Sequence, residues 1–201
     1  VAWAAIVLVW LTGNRRSPML SCAVAEGAEL RALEPWQAPE FFAHVDRVRE
    51  HIAPWIPMAE KVVDEESARA VLRGYADGAA ADGKRLYGLW VDGVLSGVAL
   101  FRIFDTEQWF CEVGVWIAPE HQGRGLITAA AARLIDWAVD VRGMQRVEWW
   151  CEPDNARSQA VAKRLGFSRE GLLRSTFVMN GERHDAQVWG ILADEWRASR
   201  G

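Results

Sequence analysis

The stretch Gln122-Gly123-Arg124-Gly125-Leu126 leaves a β-type segment, Trp109 to Ile117, and opens a helical one, Leu126 to Val141. A glycine-rich turn between strand and helix presents backbone N–H groups that have no helical partner, at the positive end of the helix dipole. That combination grips a diphosphate. Downstream, Asn155-Ala156-Arg157-Ser158 begins a shorter helix that stops at Leu165-Gly166-Phe167. The glycines do not have the dinucleotide G-x-G-x-x-G spacing, and no Lys-Ser/Thr follows them, so a nucleoside-triphosphate loop is excluded.

Outward from this turn the chain reads as alternating elements. Ala28 to Leu33 alternates like a strand, and Phe41, Phe42, Val45, Val48 and Ile52 make a helical stripe behind Pro39. Asp64 caps a second helix with Ala68, Val71, Leu72 and Tyr75 on its apolar face. Arg85–Val91 and Val94–Phe104 flank Asp92-Gly93, a two-residue hairpin signal. Arg146–Cys151 is a strand, and Leu172–Met179 with Gln187–Leu192 form a closing hairpin around Asn180-Gly181. The order β-α-α-β-β-β-α-β-α-β-β predicts a mixed α/β fold with a largely antiparallel sheet.

With 201 residues, 51% hydrophobic and 25% charged, the chain suits one soluble domain with a sizeable core. A net charge of -4 argues against a basic nucleic-acid-binding face. Cys22, Cys111 and Cys151 form no C-x-x-C pair and the four histidines no ligand spacing, so neither a metal site nor a disulfide framework is expected. Cys111 and Cys151 read as buried thiols in a reducing, cytoplasmic compartment. The apolar run Val1 to Leu11 is short of the roughly 20 residues a membrane helix needs. Its arginines follow rather than precede it, unlike a secretory leader. Residues 1–18 read as an extension without catalytic role, Met19 as the start of the folded domain, and 19–201 as a single domain.

The paired segments resemble motifs A and B of the GCN5-related N-acetyltransferases (GNAT). Motif A is matched by Gln122-Gly123-Arg124-Gly125-Leu126-Ile127, with Ile at its sixth position, followed by Thr128. Arg49-Glu50-His51-Ile52, Pro54-Trp55-Ile56-Pro57, Glu112-Val113-Gly114-Val115-Trp116 and His184-Asp185 resemble the branch that acetylates ribosomal-protein N-termini. The resemblance spans about Ala28 to Trp196 and implies a GNAT fold of about seven strands flanked by about four helices. It also implies acetyl-CoA as cosubstrate and no metal.

By that resemblance the amides from Gln122 to Thr128 hold the coenzyme's diphosphate, with Arg124 as a cation. The strand residues Val115, Trp116 and Ile117 pair with the pantetheine arm, and Asn155 and Ser158 contact it too. Gly114 suits a bulge there, although close packing against a neighbour explains a glycine as well. A freed N–H near Val115 or Trp116 suits a developing oxyanion, a contribution of about 2.7–4 kcal/mol. Glu112 is the candidate base; the alternative is a carboxylate bonded to neighbouring backbone or to Arg146. Ser158 is the candidate acid for the departing thiolate, unless it merely occupies the first turn of its helix. Trp55 and Trp150 are expected on the acceptor side together with Glu112. Because strand residues alternate, at most one of Trp149 and Trp150 should line the cleft. The branch can carry an acid on the strand entering the last hairpin, where this chain has Ser175-Thr176-Phe177.

At pH 7 an α-amine is roughly 10–20% neutral and a lysine below about 0.1%, so an α-amine needs less help from a base. No Ser or Cys is set beside a histidine as an activated nucleophile. The expected reaction is direct acetyl transfer in a ternary complex to a protein or peptide α-amine. A small-molecule amine (antibiotic or polyamine) and a non-catalytic acyl-CoA-binding module are the alternatives. A homodimer through the final hairpin is compatible with the pattern; a nucleic-acid or membrane partner is not expected.

Overall fold

Strand Arg85–Val91 is buried at every position, as a strand covered on both faces must be. The computed structural model describes residues 21–200, so the expected extension 1–18 lies outside the described residues. The strands are β1 (Ser21–Ala25), β2 (Ala28–Ala32), β3 (Arg85–Val91), β4 (Val94–Asp105), β5 (Phe110–Ile117), β6 (Arg146–Cys151), β7 (Ser168–Met179) and β8 (Glu182–Leu192). They form one sheet in the order β1-β2-β3-β4-β5-β6-β8-β7. Every pairing is antiparallel except β5 with β6. The helices are α1 (Ala38–Ile52), α2 (Met58–Lys61), α3 (Glu65–Ala80), α4 (Leu126–Asp136), α5 (Ala156–Arg164) and α6 (Ala193–Ala198).

All seven expected strands and four expected helices are present. The additions are β1, the one-turn α2 and the terminal α6. The β5–β6 crossover is α4, extended through the wider π-helical turn Trp137–Val141. Asp92 (φ 49°) with Gly93 (φ 79°), and Asn180 (φ 51°) with Gly181 (φ 76°), give the doubly left-handed hairpin turns that Asp-Gly and Asn-Gly favour. The cap on α3 is reciprocal: Ser67 N–H donates to Asp64 Oδ1 (2.7 Å) and Asp64 N–H donates to Ser67 Oγ (3.0 Å).

Alternation along the strands builds a core on each face of the sheet. One packs Leu89, Phe101, Val113, Val147 and Trp149 under α4; the other packs Leu100, Trp116 and Val98 under α1 and α3. Phe101 and Phe104 both face the first core, with rings 5.0 Å apart. Strict alternation forbids that three-residue spacing. The register supplies the reason: Phe101 pairs with Val113 but Ile103 with Glu112, so Arg102 is an extra residue, a β-bulge. The bulge expected at Gly114 is therefore on the neighbouring strand. Gly114 pairs regularly with Leu100, and an added Cβ would meet Leu100 Cδ1 at 3.2 Å.

The second core encloses a histidine. His44 Nε2 accepts from Trp116 Nε1 (3.2 Å), and burial, reinforced by Arg47, pushes its pKa down to about 4. The unfolded chain takes up the proton near pH 6.5 and the folded chain only near 4, so stability must fall as pH drops through that window. About 2.5 pH units at about 1.36 kcal/mol each gives roughly 3 kcal/mol. Denaturant unfolding of the parent chain and His44→Gln at pH 7, 5 and 4 should show the parent losing about that much more.

Candidate active site

Strands β5 and β6 pair only from Phe110–Arg146 to Val113–Trp149. Beyond Val113, β5 continues against β4 while β6 continues against β8, so the two part company. The backbone of Gly114–Ile117 that faces β6 is left without a strand partner. A cleft of about 1770 Å³ occupies this opening, larger than the roughly 300–1,000 Å³ of ordinary small-molecule sites. It passes between the sheet faces, so Trp149 and Trp150 both border it although they point opposite ways. The expectation that only one could do so fails because the cleft is open to both faces.

At one end of the cleft lies the turn before α4. Gly123 (φ 75°) and Gly125 (φ 74°) are left-handed, which glycine alone adopts without strain. The bond from Ala129 N–H to Gly125 O (3.0 Å) begins the helical ladder, so the amides of Leu126, Ile127 and Thr128 precede it. Gln122 differs from expectation: its N–H donates to Pro119 O (3.2 Å). Its side chain is a brace instead, donating from Nε2 to His51 Nε2 (2.6 Å) and accepting from Arg157 Nη1 (3.2 Å). Burial, with Arg157 nearby, holds the His51 pKa below its usual value, as suits an accepting ring nitrogen. Arg124 is exposed, turned to His121 Nδ1 (3.2 Å), and off the cleft lining; Arg157, bonded to Gln122, is a cation that does line the cleft beside this turn.

Val115, Ile117, Ile127, Thr128, Asn155 and Ser158 border the cleft. The side chains of Leu126 and Trp116 are buried, which leaves their backbone for a ligand. Asn155 Oδ1 caps α5 by accepting from Ser158 N–H (3.0 Å), and Ser158 Oγ accepts from Trp149 Nε1 (2.8 Å). With that bond accepted, the Ser158 hydroxyl is the donor in its second hydrogen bond, to the neighbouring Cys151 sulfur.

The acceptor wall holds residues that the motifs did not reveal. Glu112, 4% exposed, accepts from Nε and Nη2 of Arg102. Its partner is thus the bulge residue and not Arg146, which bridges Glu148 (2.8 Å) and Glu170. Burial pushes the Glu112 pKa up, and Arg102 opposes it. The Arg102 guanidinium also stacks 5.3 Å over Trp150, whose Nε1 donates to Glu148 Oε2 (2.9 Å). Trp55 stands at the rim on the loop after α1. Lys84, its Nζ 5.0 Å over the Tyr75 ring, and Lys61 complete this side. Among the described residues only two carboxylates line the cleft, Glu112 and Glu152. The spacing of charged residues along β4 and β6 was the available signal for Arg102 and Glu148.

The family profile of the acetyltransferase (GNAT) domain matches residues 28–168. The chain belongs to the GNAT acetyltransferases. YdaF of Bacillus subtilis, provisionally named a ribosomal N-acetyltransferase, is 31% identical over 90% of this chain and 100% of its own length. The ribosomal-protein-serine acetyltransferase of Escherichia coli is 24% identical over 85% of this chain and 96% of its own. The fold matches that of the ribosomal L7/L12 α-N-protein acetyltransferase RimL solved with coenzyme A, at a TM-score of 0.82. That likeness has 22% identity and covers 87% of this chain and 99% of RimL. The acetyltransferase takes its acyl group from acetyl-CoA, and the cleft fits that molecule: left-handed glycines, unladdered amides and an unpaired strand edge lie along one opening.

Proposed function

We propose that this acetyltransferase acts on the α-amine of a protein or peptide N-terminus, by direct transfer with both substrates bound. The observation that carries it is the parting of β5 from β6, which joins the anion-binding turn to the acceptor wall through one cleft. Acetyl-CoA supplies the activated acyl group as a thioester. Gly123–Thr128 hold its diphosphate through amides, with Arg157 as the cation, and Asn155 and the free edge of Gly114–Ile117 receive the arm. Ser158 protonates the departing thiolate. Direct transfer is favoured because burial pushes the Cys111 and Cys151 thiols up in pKa, away from the nucleophilic thiolate.

The relatives named for ribosomal proteins support a peptide acceptor, and so does the charge of the wall. Lys61, Lys84 and Arg102 line it, while the carboxylate of Glu112 is already paired. Such a wall repels a polycation. Thiol release from acetyl-CoA should therefore be at least tenfold faster with Ser- or Ala-initiated peptides than with spermidine or an aminoglycoside at equal concentration. The reverse order removes the peptide reading. Residues 19–201 alone should give the full rate, because the acetyltransferase domain matches residues 28–168.

Cys111 and Cys151, both buried and neither in a disulfide, support a reducing, cytoplasmic location. Among the described residues no helix is long and apolar enough to cross a membrane. A homodimer through the edge strand β7 is supported by its exposed Leu172, Leu173 and Val178.

A further inference from the structure

The two carboxylates of the cleft are not equivalent. Glu112 commits both oxygens to Arg102. Glu152, just past the end of β6, has Oε2 3.0 Å from His184 Nδ1, whereas its Oε1 is buried without a hydrogen-bond partner. A buried carboxylate oxygen left unpaired is costly, and a site built to receive a cation is a physical reason to keep one.

Three elements place this oxygen. Trp150 pairs across the sheet with Val188, so Trp150, Val188, Ala186 and His184 share a face, and Glu152 reaches His184 on it. Phe177 pairs with His184 and stacks on its ring, centroids 5.4 Å apart. Thr176 and Phe177 themselves line the cleft. The stretch Ser175-Thr176-Phe177 before the last hairpin carries no acid, yet the carboxylate that follows β6 stands beside it.

His184 fixes the charge of the pair. Its Nε2 lies 3.1 Å from Met179 O and its Nδ1 faces Glu152, so both ring nitrogens meet oxygen acceptors. A ring with two protons satisfies both, and Glu152 pushes the His184 pKa up accordingly. The other titratable groups near the pair are Cys151, next to Glu152, and Glu182, near His184.

We propose that Glu152 is the carboxylate that receives the acceptor amine through Oε1 and takes its proton as the amide forms, with His184 as the positioning residue that holds Oε2. The bound ammonium first gives one proton to Oε1, which passes it to solvent, and the freed lone pair makes the C–N bond to the thioester carbonyl carbon. The C–S bond breaks with its electron pair going to sulfur, which takes the Ser158 proton. The amine's surplus proton passes to Oε1 and then to solvent, and Ser158 is reprotonated from solvent. This rests on the acetyltransferase reading and deepens it.

The test compares the full chain with Glu152→Gln and His184→Gln, using a Ser-initiated peptide and acetyl-CoA. Acetyl-CoA affinity by calorimetry serves as the measure of an intact fold. We expect Glu152→Gln to bind acetyl-CoA as the parent does and to lose at least 100-fold in kcat/KM. The parent's kcat/KM should change little with pH below the amine pKa, since the ammonium form binds and is deprotonated in place. The residual rate of Glu152→Gln should instead climb about tenfold per pH unit up to the amine pKa near 7.7–8.0, following the free amine. In His184→Gln kcat should fall while the KM for acetyl-CoA stays unchanged, because Glu152 loses the contact that holds Oε2 and aims Oε1. A parent that turns over and a Glu152→Gln that matches it in rate and profile overturn this assignment alone. A parent that releases thiol with no amine overturns the acetyltransferase reading as well. Loss of acetyl-CoA affinity in Glu152→Gln also overturns it, by giving the residue a structural role.

Discussion

Arg102→Met should lower the unfolding free energy by about 3–5 kcal/mol at pH 7, the cost of stranding a buried charge. Glu112 is 6% exposed at its side chain, while Arg102 is half in solvent, so the asymmetry is decisive. Removing the arginine leaves a buried, ionised carboxylate without the partner that holds both of its oxygens; removing the glutamate leaves a cation that water can reach. Glu112→Gln should therefore cost markedly less than Arg102→Met, and Arg102→Met with Glu112→Leu together less than Arg102→Met alone. The pH dependence has a definite sign. Burial already holds the folded Glu112 pKa above its unfolded value, and loss of Arg102 raises it further. A group raised on folding binds protons more readily when folded, so the variant should regain stability as pH falls from 7 towards 5. Urea unfolding of the four chains at both pH values measures this. Equal losses for the two single variants, or no recovery in acid, would show that the pair does not hold the wall together.

What the sequence revealed follows from how local each determinant is. The turn before α4 was legible because Gly123 and Gly125 announce left-handed backbone, and Asp92-Gly93 and Asn180-Gly181 because type I′ turns demand such pairs. Strand β1 was not, since Ser21–Ala25 is small, half-exposed and lacks a bulky apolar face. The bulge at Arg102 left one trace, the Phe101-to-Phe104 spacing, which a run of apolar residues hides. Arg124 was assigned to the diphosphate from its place in the motif, yet the chain direction after Gly123 turns it to His121. The Glu152–His184 contact joins residues 32 apart in sequence and depends on β8 inserting between β6 and β7. No local pattern reports such an insertion. The cofactor end of the cleft was thus readable as a motif, whereas the other end is assembled from five strands, β4 to β8, and needed the fold.

Gly125→Val should weaken acetyl-CoA binding at least 100-fold, about 2.7 kcal/mol. Gly125 has φ 74° and ψ 0° at the position that caps α4, and a Cβ there would meet nothing within 4 Å. Space is therefore not the obstacle. The left-handed backbone costs an L-residue roughly 1–2 kcal/mol, and a β-branched one more. The chain can escape by flipping the turn out of that region, which re-aims the amides of Leu126, Ile127 and Thr128 away from a common point. Gly143 provides the control: it too has φ 74° and nothing within 4 Å of an added Cβ, but it lies beyond the π-helical turn and away from the cleft. Gly143→Val should carry a comparable backbone cost in thermal unfolding and leave the affinity unchanged. Calorimetric titration of acetyl-CoA into both variants separates the two contributions, because only the turn at Gly125 points amides at a ligand. If both bind like the parent chain, the diphosphate is held elsewhere, and the helix N-terminus loses its place in the site.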